Sequence, residues 1–174
     1  GRINVLNTGS SIFLGANAGL NDDLSNNRNV FIGVDAGRLT TTGYENVAIG
    51  SNALAANTDG FQNMAIGADA LKVNQSGHSN MAIGRRALVA NTQGLANVAI
   101  GTQALNSNTT GDFNVSIGYL AGFQNQTGNR NVFIGHRAGY SETGSAKLYI
   151  DNSPTLTPLI YGDFANDTIK IHGT

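Results

Sequence analysis

The chain contains no cysteine, no tryptophan and only two prolines among its 174 residues, and only 12% of its residues are charged. Without cysteine, disulfides, thiol catalysis and thiolate metal sites are excluded. The net charge is −1, and no cluster of Lys and Arg is present, which argues against nucleic-acid-binding and membrane-surface proteins. No apolar run approaches the roughly 20 residues of a membrane span, and the N-terminus lacks a secretion-signal pattern. We therefore expect no nucleic-acid partner, no membrane insertion of this segment, and a chain that belongs to a longer protein.

Two residue types are abundant instead: glycine and asparagine each occur 23 times. Both are poor helix formers, and glycine costs about 1 kcal/mol per helical position relative to alanine. The composition therefore excludes a helical bundle. It favours turns and short strands, in which glycine supplies positive φ angles and asparagine bonds neighbouring backbone groups.

A repeat of 17 residues runs through most of the chain. Counted from a glycine that follows Ile or Leu, position +3 is always Ala, position −1 is Ile or Leu, and position −3 is Ile, Val or Met. This alternation predicts a short strand that ends at the glycine. The eight glycines, spaced by 18 residues once and then by 17 six times, are Gly15, Gly33, Gly50, Gly67, Gly84, Gly101, Gly118 and Gly135.

The remainder of each repeat predicts corners. Asn stands at position −4 in seven of the eight copies, and six copies carry a second glycine at +10, three residues after an Asn or Thr. We interpret each unit as a strand, a glycine corner, a short second strand around the Ala, and a corner of Asn, Thr and Gly. Such units bury a core only when they are stacked about 4.8 Å apart. The Asn column from Asn57 to Asn125 then predicts a side-chain amide ladder.

These patterns predict an all-β fold, a parallel β-solenoid of about eight 17-residue coils. We expect residues 1–10 to form an incomplete first coil, residues 11–144 the β-roll repeat domain, and residues 145–174 a small C-terminal β cap and adaptor. Three short strands are expected in that last segment, over residues 148–150, 159–161 and 168–171. They are separated by Pro154 and Pro158, which cannot donate hydrogen bonds in a sheet.

Position −2 lies between the two columns that we expect to be buried, and it changes in step with position +4. Where −2 is Phe, +4 is Gly; where −2 is Ala, +4 is Leu. Conserved total volume indicates one shared packing layer, although duplication of two repeat subtypes would give the same pattern. We expect this layer to lie outside each coil and to be buried only in a homotrimer, since a monomer would expose a large apolar patch. The predicted trimer-interface residues are Phe13, Phe31, Leu54, Leu71, Leu88, Leu105 and Phe133.

The repeated Asn-Val-Ala-Ile-Gly of residues 46–50, followed by Ala53, resembles the head repeat of YadA-like trimeric autotransporter adhesins. The copies that carry Phe, residues 30–37 and 132–139, look like a variant in tail-fibre and surface proteins of Bacteroidetes. There, segments similar to residues 147–152 and 158–164 often precede a stalk or a self-cleaving chaperone domain. The resemblance covers residues 11–164 and implies a homotrimer of left-handed parallel β-rolls with an adhesive surface. The coils are longer than in the best-known adhesin heads, and no neck heptads or membrane anchor are present.

Groups that could carry catalysis or bind metal are scattered over the repeat. The three His residues occupy different repeat positions or none, and the Asp residues do not form the regular columns of a calcium-binding β-roll. No glycine-rich stretch is followed by the Lys-Ser/Thr pair of a phosphate loop. A polysaccharide-cleaving solenoid would need paired acids in one groove, and Asp and Glu do not pair here. We predict no enzymatic activity, no metal and no cofactor.

Variation within the repeat concentrates at the corners, at positions +1, +2 and +11. In a trimer, Arg85 and Arg86 would place six guanidinium groups around one coil, which suits anionic glycan or phosphate. Tyr44 and Phe61 could stack on sugar rings or seal the interface between chains. These four residues form the predicted ligand surface.

The sequence thus predicts a trimeric head or shaft segment of an adhesive fibre, located extracellularly on a bacterial surface or on a phage or injection-device fibre. Its partners would be two further copies of itself and a surface glycan or cell-surface receptor, bound through multivalent contacts. A passive spacer, with recognition elsewhere, is the alternative. An ice-binding solenoid is a third, since Thr58, Thr92 and Thr109 share one column that Gln75 interrupts.

Overall fold

A computed structural model describes residues 10–172, which contain eleven strands and no helix. Most of the predicted incomplete first coil, residues 1–9, lies outside the described residues. The strands are β1 Ile12–Leu14, β2 Val30–Ile32, β3 Val47–Ile49, β4 Met64–Ile66, β5 Met81–Ile83, β6 Val98–Ile100, β7 Val115–Ile117, β8 Val132–Ile134, β9 Lys147–Ile150, β10 Ile160–Asp163 and β11 Thr168–Ile171.

All eleven strands form one sheet in chain order. From β1 to β9 the neighbours are parallel, and each residue pairs with its equivalent in the next repeat, as Val47 does with Met64. A parallel strand that returns to the same position after 17 residues is a coil of a solenoid. The predicted all-β solenoid of about eight turns is therefore confirmed.

The predicted second strand around the Ala is wrong, because this part of the coil is a chain of tight turns. In the third coil, residues at +2 and +4 have positive φ, with Asn52 at 57° and Leu54 at 52°. Ala53 donates its backbone N–H to Gly50 within the coil, whereas Leu54 donates to Ala70 of the next coil. Alternating right- and left-handed residues give repeated three-residue turns, which β-strand dihedral angles cannot make.

The core lies inside each coil, and this corrects the predicted trimer interface. Positions −2, +3 and +4 point inward, and Phe31 and Leu54 have no exposed surface in a single chain. Strand alternation separates two faces but does not say which one is inside. A 17-residue coil encloses a narrow space, which Ala columns with one Leu or Phe per coil fill. The residues predicted for the interface are buried within the chain at Phe31, Leu54, Leu71, Leu88, Leu105 and Phe133, and Phe13 is half-buried at the first coil.

The exchange of volume between −2 and +4 is confirmed as packing within one chain. A Cβ added at Gly19 would lie 2.6 Å from the ring of Phe13, so the ring occupies the space of a +4 side chain. At Gly122 the ring of Phe133 from the next coil fills that space. This explains why Ser116 has no bulky partner at +4; its hydroxyl donates to the carbonyl of Ala121 at 2.7 Å.

Two ladders of buried Asn side chains run along the rod. In the predicted ladder, each Nδ2 donates to the Oδ1 of the previous coil at 2.8–2.9 Å from Asn57 as far as Asn108. It ends there, since Asn125 donates instead to Gly144. The second ladder, at position −4, was predicted only as corner residues. Its members are Asn29, Asn46, Asn63, Asn80, Asn97, Asn114 and Asn131.

After β8 the chain leaves the repeat and forms an antiparallel sheet of three strands, which we call the C-terminal meander (β9, β10 and β11). On its inner side Tyr149 packs against Phe133, with ring centroids 5.9 Å apart, and Tyr161 meets Tyr149 edge-on at 5.3 Å. Aromatic rings thus cover the end of the solenoid core. The three predicted strands are confirmed, with bounds shifted by one or two residues.

Candidate functional site

The outward side of the coil strands carries only apolar residues. These side chains occupy positions −3 and −1, and each stacks on its equivalent in the adjacent coil. We call this surface the outer stripe. It consists of Ile12, Leu14, Val30, Ile32, Val47, Ile49, Met64, Ile66, Met81, Ile83, Val98, Ile100, Val115, Ile117, Val132 and Ile134.

The outer stripe is partly exposed along its whole length in a single chain. Ile49 is 36% exposed, Ile117 39% and Leu14 60%. Charged side chains are absent from its two columns, and eight strands at a spacing of about 4.8 Å make it about 34 Å long. Soluble monomers rarely expose an apolar patch beyond about 300–600 Å². A continuous stripe of this kind is typical of a surface that associates with another molecule.

The upstream flank of the stripe consists of the residues just before the strands, and polar groups join neighbouring coils there. The guanidinium of Arg28 bonds the carboxylate of Glu45 at 2.5 Å, and the amide of Gln62 donates to the same carboxylate at 3.0 Å. The Gln62 hydrogen bond and then the Arg28 charge lower the pKa of Glu45. Farther along, Arg130 lies over the ring of Phe113 at 5.9 Å.

Beside this flank, three rings from successive coils form a stack. Tyr44 and Phe61 lie 4.9 Å apart and nearly parallel, and Phe61 and His78 lie 4.5 Å apart. The predicted ligand-surface aromatics are therefore neighbours, and His78, which the sequence analysis treated as scattered, belongs with them. Their ring edges rather than their faces are presented to solvent, because the faces are covered by stacking.

The downstream flank, just after the strands, holds the other predicted ligand residues. Arg85 is exposed and Arg86 is half-buried in the corner after β5. They lie beyond the opposite end of the strands from Tyr44 and Phe61, so the structure does not bring the two predicted pairs together. Two coils farther on, Tyr119 stacks on His136 at 5.5 Å.

The column of threonines uses its hydroxyl groups within the fold. Thr58, Thr92 and Thr109 each donate to a backbone carbonyl of the next coil at 3.1–3.2 Å. These donors are committed to joining coils, so they do not form a free array on the surface.

Chemical groups for metal binding or membrane insertion were searched in the described residues. Across residues 10–172, no group of three or more His, Asp or Glu side chains is placed to hold a metal ion. The same part of the chain has no helix that is long and apolar enough to cross a membrane.

The outer stripe itself was missed by the sequence analysis, which placed these columns in the core. A signal was present: the Asn at −4 has the same strand parity as position −2, and an Asn that bonds across the coil has to lie inside. That parity places −3 and −1 outside.

The chain was compared with known proteins at three levels, and no family model, curated protein or solved structure matches it. Its function is therefore inferred from its own residues and geometry.

Proposed function

We propose that this chain is a segment of a homotrimeric attachment fibre. Three copies, each a left-handed β-roll as the repeat's resemblance to adhesin heads implies, pack side by side with their outer stripes toward a common axis. The fibre belongs outside the cell, on a bacterial surface or on a phage-type or injection-device fibre. It works without catalysis, through many equivalent weak contacts.

The outer stripe is the observation that carries this proposal. It presents on the order of 800 Å² of apolar surface per copy, the size of one side of a standard specific interface. A partner that covers it must present apolar side chains at the same strand spacing over about eight coils, and a second copy of the chain does so by construction. Cyclic arrangement of identical rods closes the surface and leaves the corners facing solvent.

The corners are the proposed ligand surface. The stack of Tyr44, Phe61 and His78 on one flank, and Arg85 with Arg86 on the other, differ from the equivalent residues in neighbouring coils. Aromatic edges and guanidinium groups suit glycan hydroxyl and anionic groups. Threefold repetition would turn each weak contact into a multivalent one.

A passive spacer is the second candidate, and the regular hydrogen bonding between coils favours it. Strands, turns and Asn ladders all bond from each coil to the next, which makes a stiff rod without any requirement for ligand. Binding of the folded, assembled segment to glycan arrays and to whole cells separates the two functions. Binding that is lost in Tyr44→Ala/Phe61→Ala or in Arg85→Ala/Arg86→Ala supports attachment, and absence of binding by the intact assembly supports the spacer.

Assembly is tested with two substitutions of equal exposure. Ile49 in the outer stripe and Val73 outside it are each 36% exposed. We expect the wild type to have the mass of a trimer by light scattering, Ile49→Asp to shift it toward monomer, and Val73→Asp to leave it assembled. Burying an unpaired carboxylate in an apolar interface costs several kcal/mol, whereas the same change in water costs little. A wild type that stays monomeric at micromolar concentration would overturn the proposal.

A further inference from the structure

The C-terminal meander continues the apolar columns of the outer stripe beyond the last coil. Leu148 and Ile150 of β9 pair with Val132 and Ile134 of β8, so they extend the two columns in register. The antiparallel strands keep this register. Ile150 pairs with Ile160 and Leu148 with Gly162, and these in turn pair with Ile171 and Ile169.

The meander strands therefore have two chemically different sides. On the inner side, Tyr149 and Tyr161 cover the solenoid core and Lys170 follows them on β11. The outward side carries Ile, Leu and one Gly. It is also more exposed than the coils, since Ile169 is 64% exposed and Ile171 71%, against 37% for Ile134. An exposed strand with two isoleucines on one side is an association or aggregation site unless another surface covers it.

The single position without a side chain, Gly162, opens a hollow in this surface. The hollow has a volume of about 250 Å³ and is lined by Leu148, Phe164 and Ile169 among others. A Cβ added at Gly162 would lie 2.9 Å from the Cβ of Leu148, so the chain itself cannot fill the space. An apolar side chain from a neighbouring molecule fits this place in size and polarity.

We infer that the C-terminal meander is itself part of the self-association interface, with Leu148, Ile150, Ile160, Ile169 and Ile171 packing against the same segment of the other copies. This rests on the proposed trimer and extends it from the eight coils to all eleven strands. The meander therefore has two roles, one on each side: it covers the core of its own chain and holds the copies together.

A second copy is the occupant because the meander columns are continuous with the outer stripe. In an assembly of parallel rods with their stripes toward one axis, the residues at any level meet the same residues of the other copies. The meander of each chain then lies at the level of the other meanders. The apolar sides of β9, β10 and β11 face each other there, and no other segment has to be supplied.

The experiment compares two double variants of the full chain on the same exposed strand. Ile169→Asp/Ile171→Asp places charges on the outward side, and Thr168→Asp/Lys170→Asp places charges on the opposite side of β11. Light scattering over a dilution series gives the concentration at which half of the assembly has dissociated. Circular dichroism establishes that each variant keeps its β-structure, and Ile49→Asp is the reference for loss of the coil interface.

We expect the half-dissociation concentration to rise at least about tenfold for Ile169→Asp/Ile171→Asp, which corresponds to 1.4 kcal/mol or more. For Thr168→Asp/Lys170→Asp we expect less than about a twofold change. A wild type that assembles, an Ile49→Asp variant that dissociates and an Ile169→Asp/Ile171→Asp variant that remains assembled would overturn this inference and leave the proposed trimer standing. A monomeric wild type would overturn both.

Discussion

At the scale of single residues, asparagine at −4 does work that no other side chain can do. In the fifth coil, Nδ2 of Asn80 donates to the carbonyl of Gly94 at 2.8 Å and to Oδ1 of Asn63 at 3.2 Å. Its Oδ1 accepts the backbone N–H of Asn97 at 3.0 Å. The residue is fully buried apart from 1% of its surface. A carboxylate lacks the donors and a hydroxyl lacks the reach, so each would leave buried partners unpaired at about 1–3 kcal/mol each.

Packing inside the coil is also decided residue by residue, as Phe31 and Gly37 illustrate. The ring of Phe31 occupies the space that a side chain at Gly37 would enter, and Gly37 has a φ of 57°. In the next coil the same two positions hold Ala48 and Leu54, and Leu54 accepts a φ of 52°. The left-handed conformation is thus available to Leu at this position, and space decides which residue is present.

A double-mutant cycle tests this sharing of space. Phe31→Ala should cost about 3–5 kcal/mol of unfolding free energy, and Gly37→Leu should cost about 1–3 kcal/mol by overpacking. In Phe31→Ala/Gly37→Leu the new Leu fills the space left by the ring. We expect the double variant to be at least about 1 kcal/mol more stable than the sum of the single costs predicts. Recovery should be incomplete because Phe13, stacked on Phe31 at 5.4 Å, loses its partner. Denaturant unfolding gives the four free energies, and costs that simply add would contradict a common space.

At the scale of elements, a coil strand of three residues is stable only as a member of the stack. Its hydrogen bonds, turns and Asn side chains all lead to the neighbouring coils, and a single coil buries almost nothing. The C-terminal meander differs, because it is held by side-chain contacts as well as by its ladder. Lys147 of β9 and Asp163 of β10 form an ion pair at 2.8 Å, with the carboxylate largely shielded from solvent. Burial and then the hydrogen bond to Glu142 raise the pKa of Tyr149 in the same segment.

The ion pair makes the meander sensitive to acid. The hydrogen bond from Lys147, followed by that from Asn166, lowers the pKa of Asp163 from 3.8 to about 2. A depressed carboxylate pKa contributes stability that is complete above the ordinary pKa and disappears as the pH falls through the folded-state pKa. We expect amide exchange in β10 to be slower in the wild type than in Asp163→Asn at pH 5, and the difference to vanish between pH 4 and 2. An equal difference at pH 5 and pH 2 would show that the ion pair does not hold this strand.

At the scale of the whole molecule, the outer stripe decides how the rods meet. It is two residues wide, with one flank before the strands and one after them. In any cyclic assembly about an axis parallel to the rods, the upstream flank of one copy adjoins the downstream flank of the next. Phe113 and Arg130 of one copy then approach Tyr119 and His136 of its neighbour. The flanks carry rings and guanidinium groups at this level, which are the residue types that interfaces favour.

Cross-linking counts the copies, since the chain has no cysteine of its own. Ala96 and Thr102 lie on the two flanks of β6, too far apart along one strand for a linker of roughly 10 Å to join them. In Ala96→Cys/Thr102→Cys, a short bis-maleimide should link copy to copy and give covalent trimers on a denaturing gel. Ala96→Cys/Ser51→Cys, offset by three coils or about 14 Å, should link much less. Covalent dimers without trimers would show a twofold assembly, and equal linking of both variants would exclude parallel rods in register.

What the sequence by itself determined is the repeat and everything that follows from its period. Strand positions, parallel stacking, the Asn57 ladder and the volume exchange at −2 and +4 could be predicted because each depends on residue type and spacing alone. Tertiary structure alone decided which face of the strand is inside, since a period of two is unchanged when the two faces are exchanged. The width of the coil breaks that symmetry: it admits Ala48 and Leu54 and leaves Val47 and Ile49 outside. It also turned the Ala segment into turns and joined His78 to Tyr44 and Phe61, because both depend on the path of the closed coil.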